Sequence, residues 1–171
     1  MNSKFVFVYG SLLNKEEALK EIQIDTWNSA KPAVLDGFRR VYNKLSGNWC
    51  GTVLNIEKSP KHSVLGLLFG PLKKEEFDKI GKRECWPGYR RQTHYQRELE
   101  NVKIIPEGTT EAYTSMAAKK FVGIGDIPPK YQKIVEAGIR NLSKKFNLPE
   151  FIENYKENTF YSNVKKIVPL I

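Results

Sequence analysis

The chain has 171 residues, of which 40% are hydrophobic and 27% charged, a balance that suits a folded domain and excludes a disordered one. Lysine and arginine total 28 against 19 aspartates and glutamates, a formal charge of +9 that draws anions toward the surface. No apolar run approaches the ~20 residues that span a bilayer, and residues 1–9 lack the features of a signal peptide, so the expected compartment is the cytosol, with no membrane partner.

In chain order, residues 4–9 hold Phe5, Val6, Phe7 and Val8 in a row, the pattern of a buried central strand. The run breaks at Gly10-Ser11, and Asn14 then stands as the cap of a short helix over residues 15–19. A second extended stretch covers residues 33–42, before turn composition at 45–48. Residues 49–56 and 64–69 read as two strands joined by a polar turn, 57–63, that contains Pro60. Pro71 then opens a helix in which Phe77, Ile80, Gly81 and Glu84 share one face, and Pro87-Gly88 closes it. Strands follow over residues 89–99 and 111–116, with a loop at Pro106-Glu107-Gly108 between them. Pro128-Pro129 starts a helix with Tyr131, Ile134, Val135, Gly138 and Leu142 on one face. Pro149 opens a last one that turns Phe151, Ile152 and Tyr155 inward. With no repeat, low-complexity segment or linker, residues 1–171 read as a single α+β domain, strands first and helices at the end.

The basic residues are spread along the chain, many in pairs: Arg39-Arg40, Lys73-Lys74, Arg90-Arg91, Lys119-Lys120, Lys144-Lys145 and Lys165-Lys166. Helix-turn-helix, zinc-finger and ribonucleoprotein-type patterns are absent. The pairs therefore read as solvated surface, with nucleic acid the less favoured partner. Cys50, Cys85, His62 and His94 are scattered in no ligand spacing, which argues against a metal site. Both cysteines read as reduced, small apolar residues, with a reactive thiol at Cys85, beside Glu84, as a lesser alternative.

Two places carry candidate chemistry. At Tyr9-Gly10-Ser11-Leu12 a glycine directly follows a buried strand, where successive backbone N–H groups leading into a helix can hold a carboxylate or an oxyanion. The same junction also serves as a plain tight turn, and no phosphate-binding glycine motif is present. Glu84 falls on the apolar face of its helix, not outward like Glu75 or Lys79. It also lies in the last turn, where the helix dipole disfavours a negative charge. Both effects raise a carboxyl toward the range needed to exchange protons near neutral pH. The competing reading is a structural ion pair with Arg83, Arg90 or Arg91.

Together these segments resemble the gamma-glutamylcyclotransferase-like family, including the avirulence-induced-gene proteins and the gamma-glutamylamine cyclotransferases. The similarity rests on Phe7-Val8-Tyr9-Gly10-Ser11-Leu12, Leu35-Asp36-Gly37-Phe38-Arg39, Leu54-Asn55-Ile56 with Val64–Phe69 in its train, and Ile80-Gly81-Lys82-Arg83-Glu84 followed by Gly88-Tyr89-Arg90-Arg91. A C-terminal helix with Ile127-Pro128-Pro129-Lys130-Tyr131 and Ala137-Gly138 extends it. The resemblance implies a mixed, barrel-like sheet with flanking helices. It implies cyclisation of a γ-glutamyl group to 5-oxoproline with release of an amine, without metal or organic cofactor. It implies Glu84 as the acid/base residue, Gly10, Ser11 and Leu12 as backbone donors, and Tyr9, Tyr89 and Tyr131 as pocket residues. One departure is Gly81, where many relatives carry aspartate. Three readings follow: a cyclotransferase acting on a small γ-glutamyl substrate; the same fold with drifted or lost catalysis, binding a small carboxylate or amide; and a basic nucleic-acid-binding module. The released amine and the oligomeric state, a homodimer included, stay open at this level.

Overall fold

The four apolar residues of β1 (Lys4–Val8) are flanked on both edges, antiparallel to β3 (Gly51–Leu72) through Phe7↔Leu68 and parallel to β5 (Thr109–Ala117) through Val6↔Tyr113. The computed structural model describes residues 4–85, 95–118, 120, 125–161 and 165–166. β2 (Lys31–Ser46) and β3 form a long antiparallel hairpin, and β4 (Tyr95–Ile104) pairs with β5 along its whole length. β4 also meets β2 at Ala33↔Ile104. The order β3-β1-β5-β4-β2 therefore returns to β3, and five strands close into a barrel. Closure leaves these strands without the open edges that invite aggregation. β6 (Thr159–Tyr161) adds in parallel to β2, and β7 (Lys165–Lys166) pairs with β6.

Both faces of the sheet are covered: Phe7 and Leu68 are buried on one face, and Leu67 and Phe69 on the other, where Phe69 packs against Trp27 of α2 (Ile24–Ser29). Helices α1 (Lys15–Ala18), α2 (Ile24–Ser29), α3 (Lys74–Cys85), α4 (Pro129–Phe146) and α5 (Glu150–Glu157) flank the sheet. This is the mixed, barrel-like α+β architecture that the sequence led us to expect. None of the helices among the described residues is long and apolar enough to cross a membrane.

Several elements differ from the sequence reading. The polar turn around Pro60 is a bulge inside one strand: Asp36 pairs with Ser63 and Phe38 with Lys58, so residues 59–62 face Gly37 alone. Gly37 sits at φ +77, a backbone region that favours glycine. Pro71 lies in β3, and α3 begins three residues later. The start is set by Glu76, whose carboxylate accepts from the Lys73 N–H at 3.1 Å, from the Gln23 N–H at 2.9 Å and from the Thr26 hydroxyl at 2.7 Å. Helix α2 and the strands that follow α5 were not expected. Cys50 is exposed and free at φ 52, not a small core residue. Arg40 is 1% exposed, so the Arg39-Arg40 pair is not solvated surface throughout.

Candidate active site

The strand-to-turn junction is built as a short 3-10 turn, Ser11–Leu13, entered from Gly10 and ended by Asn14. The Asn14 side chain accepts from the N–H groups of Glu16 at 3.0 Å and Glu17 at 3.4 Å, which caps α1 as expected. The carbonyl oxygens of Gly10 and Ser11 accept from Leu13 and Asn14 at 3.0 Å. The N–H groups of Gly10, Ser11 and Leu12 have no protein acceptor among the described residues. Helix α4 presses on this turn so closely that a Cβ at Gly138 would lie 2.7 Å from the Leu13 carbonyl carbon.

A cavity of about 1280 Å³ opens beside the turn, between α3, the tip of the β2–β3 hairpin and the first turn of α4. Tyr9, Gly10, Ser11 and Leu12 line it together with Glu84 and Tyr131. Five of the six pocket residues implied for binding, and the candidate acid/base, thus share one cavity. Tyr89, together with Arg90 and Arg91, lies outside the described residues.

Glu84 sits at the end of α3, and burial raises its carboxyl above the ordinary glutamate range, while Arg83 and Lys44 oppose the rise. Arg83 approaches it through Nε at 3.4 Å. The ion pair considered from sequence therefore exists, and it coexists with a place in the cavity. Arg83 is engaged more closely elsewhere: its Nη2 donates to Glu17 at 2.8 Å and to the Ser11 hydroxyl at 3.3 Å, and its Nη1 to Glu21 at 3.3 Å. One guanidinium thus ties α1, the turn and α3 together, and leaves Glu84 only its edge.

The tyrosines form a second layer. Tyr9 donates to the Ser115 carbonyl at 2.5 Å. Tyr131 accepts from the Leu54 N–H at 3.3 Å, and its hydroxyl lies 3.2 Å from where a Cβ on Gly10 would stand. Tyr95 donates to the Leu54 carbonyl, so both polar groups of that residue's backbone are held by phenols. Burial, reinforced by Glu84 among other neighbours, pushes the phenols of Tyr9, Tyr95 and Tyr131 up, so they stay neutral and act as donors or walls.

Sequence reasoning missed Lys44, Tyr95 and Trp49 on the cavity wall. Strand alternation gives Lys44 and Tyr95 a face each, but which face of a barrel strand meets the cavity depends on register and closure. Trp49 stands in the turn between β2 and β3 and not in the strand expected over residues 49–56. Lys44 is only 7% exposed, although lysines at hairpin ends are ordinarily solvated. Gly81 lacks a side chain, and the Arg97 guanidinium fills the space, lying 3.9 Å over the Phe77 ring.

Solved structures of this architecture include a gamma-glutamyl cyclotransferase, with 20% identity over 90% of this chain and 86% of that one and a TM-score of 0.67. YkqA from Bacillus subtilis gives 20% identity and a TM-score of 0.71, over 96% of this chain and 56% of that one. A yeast cyclotransferase described as specific to glutathione gives 12% and 0.51, over 95% and 98%. At such identities the likeness shows the fold. None of the proteins of curated function matches in sequence. The family model for gamma-glutamyl cyclotransferase, AIG2-like proteins matches residues 6–132, most of the chain and every residue placed in the cavity, and the protein belongs to that family.

Proposed function

We propose that the protein converts a γ-glutamyl amine or peptide to 5-oxoproline and the free amine, with Glu84 as general acid and base. The observation that carries this reading is that the Glu84 carboxyl and the Gly10-Ser11-Leu12 turn line the same cavity. The alternative with lost catalysis leaves a half-buried carboxyl of raised pKa in that cavity without a purpose.

In this mechanism Glu84 removes a proton from the substrate's α-ammonium. The freed amine attacks the γ-carbonyl, forming the ring C–N bond, and the collapsing intermediate breaks the bond to the leaving nitrogen. Glu84 then returns its proton to that nitrogen and ends as the carboxylate it began as, and the second proton shed by the ring nitrogen passes to the released amine, which departs as an ammonium. The N–H groups of Gly10, Ser11 and Leu12 hold the substrate's carboxylate or the developing oxyanion, where fixed donors act without reorganising. Tyr9 and Tyr131 wall the glutamyl part, and Tyr89 is proposed beside them. Holding amine and carbonyl within reach is itself worth about 7–11 kcal/mol in such intramolecular reactions.

The test is incubation with γ-glutamyl amino acids, glutathione and γ-glutamyl-lysine, with 5-oxoproline measured by mass spectrometry. Product from the wild type and none from Glu84→Gln is expected. Absence of product from every compound, with ligand still bound, would favour the non-catalytic alternative.

A further inference from the structure

Lys44 projects from β2 into the cavity wall with 7% of its surface exposed. Its ammonium stands 4.4 Å over the Tyr95 ring and 3.3 Å from the Leu45 carbonyl oxygen. No carboxylate lies within 4.0 Å of it among the described residues. The other cavity cations with partners are satisfied: Arg83 by Glu17, Glu21 and Glu84, Lys20 by Glu17, and Lys79 by Glu75. Lys82 and Lys130 are exposed to water. Lys44 is therefore the one buried cation of the cavity without an ion pair among the described residues. Burial pushes its ammonium below the ordinary lysine range, and the charge of Glu84 only partly restores it.

A buried ammonium without a counter-charge is costly, and a ligand anion docking there would offset that cost. Glu84 does not fill this place, since it lies beyond ion-pair distance and takes up a proton in the proposed reaction. The wall as a whole leans the same way, with Lys20, Lys44, Lys79, Lys82, Arg83 and Lys130 set against Glu17, Glu21 and Glu84. The backbone donors of the turn and the Lys44 ammonium come from different walls, β1–α1 and the β2–β3 hairpin. Two separate anion-binding groups suit a ligand with two anionic ends.

We infer that Lys44 is a specificity-determining residue, which favours γ-glutamyl compounds whose departing amine carries a carboxylate over those whose departing amine is a plain alkylamine or a polyamine. This rests on the cyclotransferase reading above. A γ-glutamyl alkylamine has one carboxylate, for the turn; a γ-glutamyl amino acid or peptide has a second, for Lys44. A polyamine brings a positive charge toward an ammonium.

γ-Glutamyl-alanine and γ-glutamylethylamine differ by that one carboxylate and make the test. For the wild type, kcat/KM for γ-glutamyl-alanine is expected to exceed that for γ-glutamylethylamine by at least tenfold, mostly through KM. Lys44→Met should bring the ratio to near one, and Lys44→Arg should restore most of it; Lys44→Gln stands in where Lys44→Met fails to fold. A wild-type ratio near one overturns the inference, as does a Lys44→Met variant in which both values fall together and the ratio persists. If the wild type forms 5-oxoproline from neither compound, the cyclotransferase reading fails, and calorimetric binding of the same pair decides the role of Lys44. Tighter binding of γ-glutamyl-alanine that is lost in Lys44→Met upholds it, and equal or absent binding removes it.

Discussion

Burial raises the Glu84 carboxyl, so the folded protein holds this proton more firmly than the unfolded chain. Its contribution to stability is full below the unfolded pKa and is lost as pH rises through the folded one. At neutral pH the ionised group is a burden on the fold. Glu84→Gln is therefore expected to melt no lower than the wild type at pH 7 to 8, while 5-oxoproline formation drops by about 10²–10⁴. Arg83 keeps Glu17 and Glu21 in that variant. Removal of a proton from the substrate requires the carboxylate, so kcat/KM should rise with pH through a midpoint above the ordinary glutamate range. A limb centred at or below that range would argue against Glu84 as the base. Arg40 presents a different case: burial lowers its guanidinium to about 10, so it stays charged at neutral pH. It donates to the carbonyl oxygens of Tyr9 at 3.2 Å and of Leu65, and to the Asn154 side chain at 2.9 Å. Arg40→Met removes a buried charge but takes a donor from three acceptors, including the carbonyl of the peptide that joins Tyr9 to Gly10; of these the Asn154 oxygen still accepts from the Leu65 N–H. A loss of about 3 kcal/mol is expected in urea unfolding. The pairing of Arg40 with Arg39 suggested solvent in the sequence, because adjacent strand residues face opposite sides and nothing local says which side is covered.

At the level of elements, the turn keeps its place because α4 lies directly on it. A Cβ at Gly138 would meet the backbone of Leu13 and Asn14 at 2.7–2.8 Å, and backbone does not yield as a side-chain tip does. Gly138→Ala should destabilise by about 1–3 kcal/mol and raise KM, since the helix or the turn must shift. Gly81→Ala makes the informative contrast. There the obstacle is the Arg97 guanidinium, which the new Cβ would meet at the end of a flexible chain. It should cost less than Gly138→Ala in thermal melts, with part of the loss recovered by better helix propensity. Equal losses at both sites would mean that Arg97 is held as rigidly as backbone. The face of α4 was legible from Tyr131, Val135, Gly138 and Leu142, all buried, whereas Ile134 is only half-buried and Ile139 takes its place in the core. The start of α3 was not legible, because Glu76 caps it with partners from α2, more than forty residues earlier.

On the scale of the whole molecule, the charge of +9 and the basic wall of the cavity should draw a dianionic substrate inward. Raising ionic strength from about 0.05 to 0.5 M should lower kcat/KM for γ-glutamyl-alanine several-fold, and that for γ-glutamylethylamine less, as the Debye length shrinks from roughly 14 to 4 Å. Equal sensitivity would assign the effect to general surface charge. Asn154 joins α5 to the barrel, bonding Ser63 and Leu65 backbone as well as Arg40. Asn154→Ala should therefore lower the melting temperature by several degrees through the loss of these shared bonds.

What the sequence determined by itself was local. The apolar run of β1, the glycine that ends it, the Asn14 cap and the helical spacing that turns Glu84 inward are all set by neighbours within a few residues. Their order along the chain was enough to indicate the family. The tertiary structure alone decided that β2 meets both β3 and β4 to close the barrel, that β6 follows the helices back to β2, and that Lys44 and Tyr95 face the cavity. Register has a period of two, and a shift of one residue would send each of these side chains to the other face. The choice between faces is made by burial across strands far apart in sequence, and no local pattern contains it.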